Sequence, residues 1–152
     1  MPGTSGIDFV AYDKEGGVAL LAEAKSTRGT SEIWAARLRQ NMLSHGTLPG
    51  AKPFLIATPE RIYLWKQQAS GLPEAPPEYS ADAQKVLEPY FAKLRQEPSK
   101  IGPEAFDFLV LTWLVDVARS GQNGSRKDPS SDLLSELSGT LRQTRIEMYP
   151  VQ

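Results

Sequence analysis

Cysteine is absent from the 152 residues, and histidine occurs once, at His45. The first absence removes disulfides and thiolate metal sites and fits a reducing compartment. The second leaves a Ser-His-Asp triad or a histidine-based metal cluster with little support. Long apolar runs are also missing: the longest lies within Phe106 to Val117, is interrupted by Asp107 and Asp116, and is too short to span a membrane. The opening MPGTSGIDF has neither a basic stretch nor an apolar one, so no export signal is expected and the cytoplasm is the expected location. Nor is either charge in excess. Seventeen Lys and Arg stand against eighteen Asp and Glu, which argues against a surface uniformly basic for coating nucleic acid.

What is present is a globular composition, 40% hydrophobic and 23% charged, at a length suited to one ordinary domain. Charge is distributed unevenly along it. Residues 1–24 hold four acids against one base, and residues 25–66 hold seven bases against two acids. A carboxylate-rich segment followed by a cation-rich one suits a site that holds a metal and admits a phosphodiester; solvated surface charge produces the same pattern.

Strand-like runs at residues 7–12 and 18–25 flank Asp13-Lys14-Glu15-Gly16-Gly17, which reads as the turn of a hairpin. Ser31 can cap a helix over residues 32–44, stopped by Gly46. Its apolar side is Trp34, Ala35, Leu38 and Met42, and its polar side is Arg37, Gln40, Asn41 and Ser44. Residues 54–58 and 61–66 read as two further strands, the second alternating Ile62 and Leu64 against Tyr63 and Trp65. Residues 67–80 are rich in Pro, Gly and Ser and are expected to close a sheet-bearing core at residues 1–66. Three helices are expected beyond this linker, over residues 81–96 with Pro89 kinking or splitting the first, then 103–119 and 131–143, with a loop at 120–130. They form a helical extension, residues 81–152, packed on the same domain. The helix at 103–119 is apolar around most of its circumference, so either its own sheet or the partner in a homodimer must cover it. His45, at a helix end, is read as bonding terminal carbonyls, and Trp34, Trp65 and Trp113 as packing residues rather than base-stacking ones.

Strand register brings one group of residues together. A four-residue loop at 14–17 would pair Asp13 with Val18, Tyr12 with Ala19, Val10 with Leu21 and Asp8 with Glu23. Because side chains alternate along a strand, Asp8, Glu23 and Lys25 would then share one face, with Ala22 and Ala24 turned away. Opposed carboxylates destabilise a sheet unless a cation offsets them. Hard oxygen donors suit Mg²⁺, with Mn²⁺ as a substitute, and the Ala24 carbonyl can add a ligand. Lys25 can orient or help deprotonate the attacking water, or stabilise charge on a phosphate.

Gly6-Ile7-Asp8, a hairpin, and Glu23-Ala24-Lys25 followed by a helix and another strand resemble the D…(D/E)-x-K signature of PD-(D/E)XK nucleases, across residues 6–66. The stretch PFLIATPERIYLWK is similar to parts of small bacterial nuclease-like proteins. The resemblance implies an α/β fold, a restriction-endonuclease-like mixed β-sheet flanked by helices, here with extra C-terminal helices. It implies Asp8 and Glu23 as metal ligands, Lys25 as the catalytic lysine, and Arg37, Gln40 and Asn41 as possible auxiliary polar groups. The implied function is a metal-dependent endonuclease that hydrolyses DNA phosphodiester bonds; the alternative is a noncatalytic nuclease-like module that binds nucleic acid or a protein. Two departures stand out. Ile7 replaces the usual proline, and only seven residues precede Asp8, where this family commonly has a helix, often carrying an acidic residue, and a further strand. Either the chain is a fragment, or the C-terminal helices or a second subunit cover that side of the sheet.

Overall fold

The computed structural model describes residues 6–48, 52–66, 74–120 and 129–149. Among them the chain runs β1 (Phe9–Tyr12), β2 (Val18–Ala24), α1 (Glu32–Ser44), β3 (Phe54–Ala57), β4 (Arg61–Trp65), β5 (Tyr79–Asp82), α2 (Ala83–Leu94), α3 (Pro103–Ser120), α4 (Pro129–Leu141) and β6 (Arg145–Met148). The fold is α/β. The strands form one mixed sheet in the order β5-β4-β3-β2-β1-β6. Every adjacent pair is antiparallel except β2 and β3, which run parallel because α1 carries the chain back across the sheet between them.

Alternation along the strands sorts the core into two layers. Ala22, Ala24, Leu55, Ala57, Ile62 and Leu64 face α2, α3 and α4, while Leu21, Phe54, Ile56, Tyr63 and Trp65 face α1. β3, apolar at every position, is buried on both faces as the sequence pattern requires. Ser31 caps α1, its hydroxyl accepting from the Trp34 amide at 3.1 Å, and Gly46 with φ of 74° turns the chain out of the helix. His45 Nδ1 lies 2.7 Å from the Asn41 carbonyl, the carbonyl contact expected for a histidine at that end. α3 packs against α2, α4, β2 and β6, so elements of its own chain cover much of its apolar circumference.

Several expectations are corrected. The hairpin loop has three residues rather than four: the Asp13 amide donates to the Gly17 carbonyl at 2.8 Å, and Gly16 takes φ of 88°. The Asp13 carboxylate accepts from the Glu15 and Gly17 amides, which uses it in the turn instead of opposite Val18. Tyr12 therefore pairs with Val18 and not Ala19. A register shift between Ala11 and Tyr12 then leaves Ala19 as an extra residue and restores the expected pairing of Val10 with Leu21. The sheet also continues past residue 66. β5 and β6 are short edge strands with one buried residue between them, Ala81, so neither carries a strong apolar alternation. Of the expected linker, residues 67–73 lie outside the described residues, as do 121–128 of the expected loop. Pro89 does not split α2, which runs unbroken from Ala83 to Leu94. No described helix is long and apolar enough to cross a membrane.

Leu55 lies fully buried at the middle of the sheet. Leu55→Ala is expected to lower unfolding free energy by about 3 kcal/mol through lost burial and a residual cavity. Met148→Ala, at a position 63% exposed, should change it by less than about 0.5 kcal/mol. Urea denaturation of the two variants beside the parent measures both.

Candidate active site

Regular continuation of the β1–β2 ladder beyond Phe9–Ala22 would set Asp8 opposite Glu23. The backbone departs from that course. The Asp8 amide donates to the Ala22 carbonyl at 2.9 Å, so Asp8 and Phe9 both face Ala22, the two-against-one arrangement of a β-bulge. The Asp8 carbonyl meanwhile accepts from the Tyr149 amide at 2.8 Å, just beyond β6. Ala24 is thereby left without a backbone partner on β1, and its amide donates instead to Asp8 Oδ2 at 2.8 Å. The carboxylate takes the place of the missing rung and is fixed at the end of the sheet.

Glu23, one residue back on β2, is only 3% exposed. Its Oε2 lies 3.7 Å from Lys25 Nζ, whereas Oε1 is buried without a hydrogen-bond partner. Burial pushes its carboxyl up to about 7, aided by the negative charge of Asp8 and opposed by Lys25 and the Gly6 backbone amide. Burial also raises Asp8, against the Ala24 hydrogen bond and the Lys25 charge. The three residues nominated from the sequence thus interact electrostatically with one another, although Asp8 arrives through a bulge and not through direct pairing with Glu23. Ala24 and Ala22 turn their side chains into the α2–α4 core, and Ala24, nominated for its carbonyl, joins the group through its amide.

A further carboxyl feels the charge of Asp8. Asp107 on α3 is half-buried and raised to about 6, first by desolvation and then by the charges of Asp8 and Glu104. Its signal in the sequence was an aspartate inside an otherwise apolar helical run. The segment after Lys25 is tied down by Arg28, whose guanidinium donates to the Pro98 and Ile101 carbonyls at 2.8 and 3.1 Å, and by the Gly29 amide, which donates to Glu60 at 2.8 Å. The auxiliary candidates take other roles. Arg37 pairs with Glu74 at 3.5 Å, Gln40 donates to Ser44 at 3.0 Å, and Asn41 is exposed. Arg39, one of the seven bases counted over residues 25–66, is buried, with its guanidinium 5.4 Å from the Trp65 ring centroid.

The donor set fits a hard divalent cation. A buried carboxylate oxygen without a partner, beside a second carboxylate, offers acceptors that such an ion would satisfy. Among the described residues no group of three or more His, Asp and Glu side chains is arranged to hold a metal. A cation here would take two carboxylates and fill its remaining positions with water or backbone carbonyls, a ligand set that Mg²⁺ accepts. Comparison of the chain with protein-family models, curated proteins and solved structures gave no match.

Glu23 has a consequence for stability. The folded chain holds its proton up to about pH 7 while the unfolded chain releases it near 4.5, so folding takes up a proton between those values. Stability in the absence of divalent cations is therefore greatest below about pH 4.5 as far as Glu23 is concerned. It should fall as pH rises through about 7, by about 3 kcal/mol in all, with Asp107 acting in the same direction. Denaturant unfolding in EDTA at pH 5 and pH 8 measures the fall, and Glu23→Gln is expected to remove most of it. An unchanged slope in that variant would show that the buried carboxyl is not its source.

Proposed function

We propose that the protein is a metal-dependent endonuclease hydrolysing DNA phosphodiester bonds, with Asp8 and Glu23 as cation ligands and Lys25 as the charged catalytic group. The observation that carries this reading is the partnerless buried Oε1 of Glu23, held beside the Asp8 carboxylate with the Lys25 ammonium 3.7 Å from the other Glu23 oxygen. A restriction-endonuclease-like sheet is the fold this reading implies, and the order β1, β2, α1, β3 is consistent with it. β6 adds a strand beside β1, and α3 brings an acid toward Asp8, on the side where the resemblance implied a further strand and an acidic helix.

A bound divalent cation would supply positive charge that polarises the phosphoryl group and makes water more acidic. The chain's own contribution begins with Asp8, whose bond to the Ala24 amide fixes one carboxylate orientation. Glu23 must be ionised to bind a cation, and its burial excludes competing water. Lys25, with a side chain 29% exposed, can reach solvent and hold its ammonium against the charge that builds on phosphate oxygens as water adds and the ester bond breaks. The bases between residues 25 and 66 can add attraction for a DNA backbone.

One observation favours a second reading, a noncatalytic nuclease-like module that binds nucleic acid or a protein partner. Asp8 already has a structural duty in closing the sheet, and a carboxyl raised to about 7 can remain neutral in the fold without any cation. Purified protein incubated with plasmid and single-stranded DNA in Mg²⁺ or Mn²⁺ separates the two. The nuclease reading expects cleavage that drops about a hundredfold or more in Asp8→Asn and in Lys25→Ala. Calorimetric titration should detect Mn²⁺ binding that disappears in Asp8→Asn. Cleavage unchanged in both variants would overturn the site, and a parent that neither binds Mn²⁺ nor cleaves would favour the module.

A further inference from the structure

β6 ends the sheet, and among the described residues no strand bonds to its outer side. Edge strands in monomers are usually blunted by short length, charge (lysine above all), proline, bulges or a covering element, and β6 is short and carries Arg145 and Glu147. β6, Arg145-Ile146-Glu147-Met148, has neither lysine nor proline and pairs with β1 in unbroken register. Three of the four large apolar side chains most exposed among the described residues are Met148 and Tyr149, at its end, and Phe108, on the helix that packs against it.

The backbone phase of this edge is fixed. The Tyr149 amide bonds to Asp8, and bonded positions alternate, so 145, 147 and 149 direct their amides and carbonyls toward β1. Ile146 and Met148 therefore direct theirs outward. A second copy pairing antiparallel must bond at even positions, and a two-fold axis through the strand must lie on one residue facing its own copy. An axis at residue 145 or 147 would set like charges face to face, which destabilises a sheet, and an axis at Met148 would set Glu147 opposite Tyr149 with no charge pairing. An axis at Ile146 sets Arg145 opposite the other copy's Glu147, and Glu147 opposite the other copy's Arg145. Both are exposed, and both lie at positions where facing side chains approach most closely. Within one chain Arg145 and Glu147 already form an ion pair, and the Arg145 guanidinium lies 5.1 Å from the ring centroid of Tyr12 on β1, so pairing of two copies exchanges these contacts for the facing Glu147.

We propose that β6 is a self-complementary edge through which two copies of the chain join their sheets about a two-fold axis at Ile146. The strand's charge sequence reads the same attraction in both directions, which selects a second copy over an unrelated peptide. This surface is distinct from the apolar body of α3, which its own chain largely covers, although Phe108 of α3 borders it. It is also independent of whether the candidate site cuts DNA.

Sedimentation velocity across a wide concentration range tests the pairing. The parent is expected to shift from chain mass toward twice that value as concentration rises. Arg145→Glu and Glu147→Arg, each alone, turn both cross-strand pairs from attractive to repulsive and should raise the dissociation constant about tenfold or more. Mixing equal amounts of the two variants should restore association, because every facing pair between unlike copies is again opposite in charge. Far-UV circular dichroism confirms that both exposed substitutions leave the fold in place, and either variant alone suffices for the loss of association. A parent monomeric at all concentrations, variants that associate as well as the parent, or a mixture that stays monomeric would each overturn the proposal.

Discussion

The hydrogen bond from the Ala24 amide to the Asp8 carboxylate is the contact on which the arrangement at the end of the sheet depends. Backbone pairing between β1 and β2 stops at Phe9 and Ala22, and one more buried amide still needs an acceptor. A side chain satisfies it. That substitution holds the Asp8 carboxylate within electrostatic reach of Glu23 and Lys25, and it draws on Asp107 from α3 as well. An alanine at position 8 would leave the amide unsatisfied and remove the charge in one step. Asparagine would keep the acceptor while removing the charge, so the two effects are separable.

Burial and charge oppose each other in this cluster. Three carboxyls are raised by desolvation, and Lys25 is the cation that opposes that rise at Asp8 and Glu23. A site with more acid than base, and with one carboxyl near 7, responds to any added positive charge. The response need not be catalytic. The Lys25 ammonium meets one oxygen of Glu23 and leaves the other buried without a hydrogen-bond partner.

Much of the fold was legible because the sequence alternates with the right period. β3 and β4 distribute Phe54 through Trp65 between two faces as the apolar pattern indicated, and Ser31 and Gly46 bound α1. Val10 met Leu21 even though the loop was one residue shorter than expected, because an extra residue at Ala19 compensated. Edge strands were not legible. Ile146 is the one half-buried side chain among the four of β6, and Tyr79–Asp82 has little β-branched character, so long-range pairing rather than local propensity makes them strands. Asp8, Glu23 and Lys25 were nominated by a register that the bulge at Asp8 alters, and they still lie within electrostatic reach of one another; Asp107 was not nominated, because it comes from a helix nearly one hundred positions away in the chain. The polar face of α1 illustrates the converse: Arg37 and Gln40 are satisfied by Glu74 and Ser44, and amphipathic spacing alone does not aim a residue at a site.

The pairing of β6 with β1 joins nearly the two extremes of the described chain. Local hairpins such as β1–β2 and β3–β4 can form as soon as their own residues are available, but this pair must wait for a long loop to close. During synthesis on a ribosome the outer side of β1 stays open until Arg145–Met148 have emerged. The candidate site borders that seam, so its surroundings acquire their finished form later than the local hairpins do.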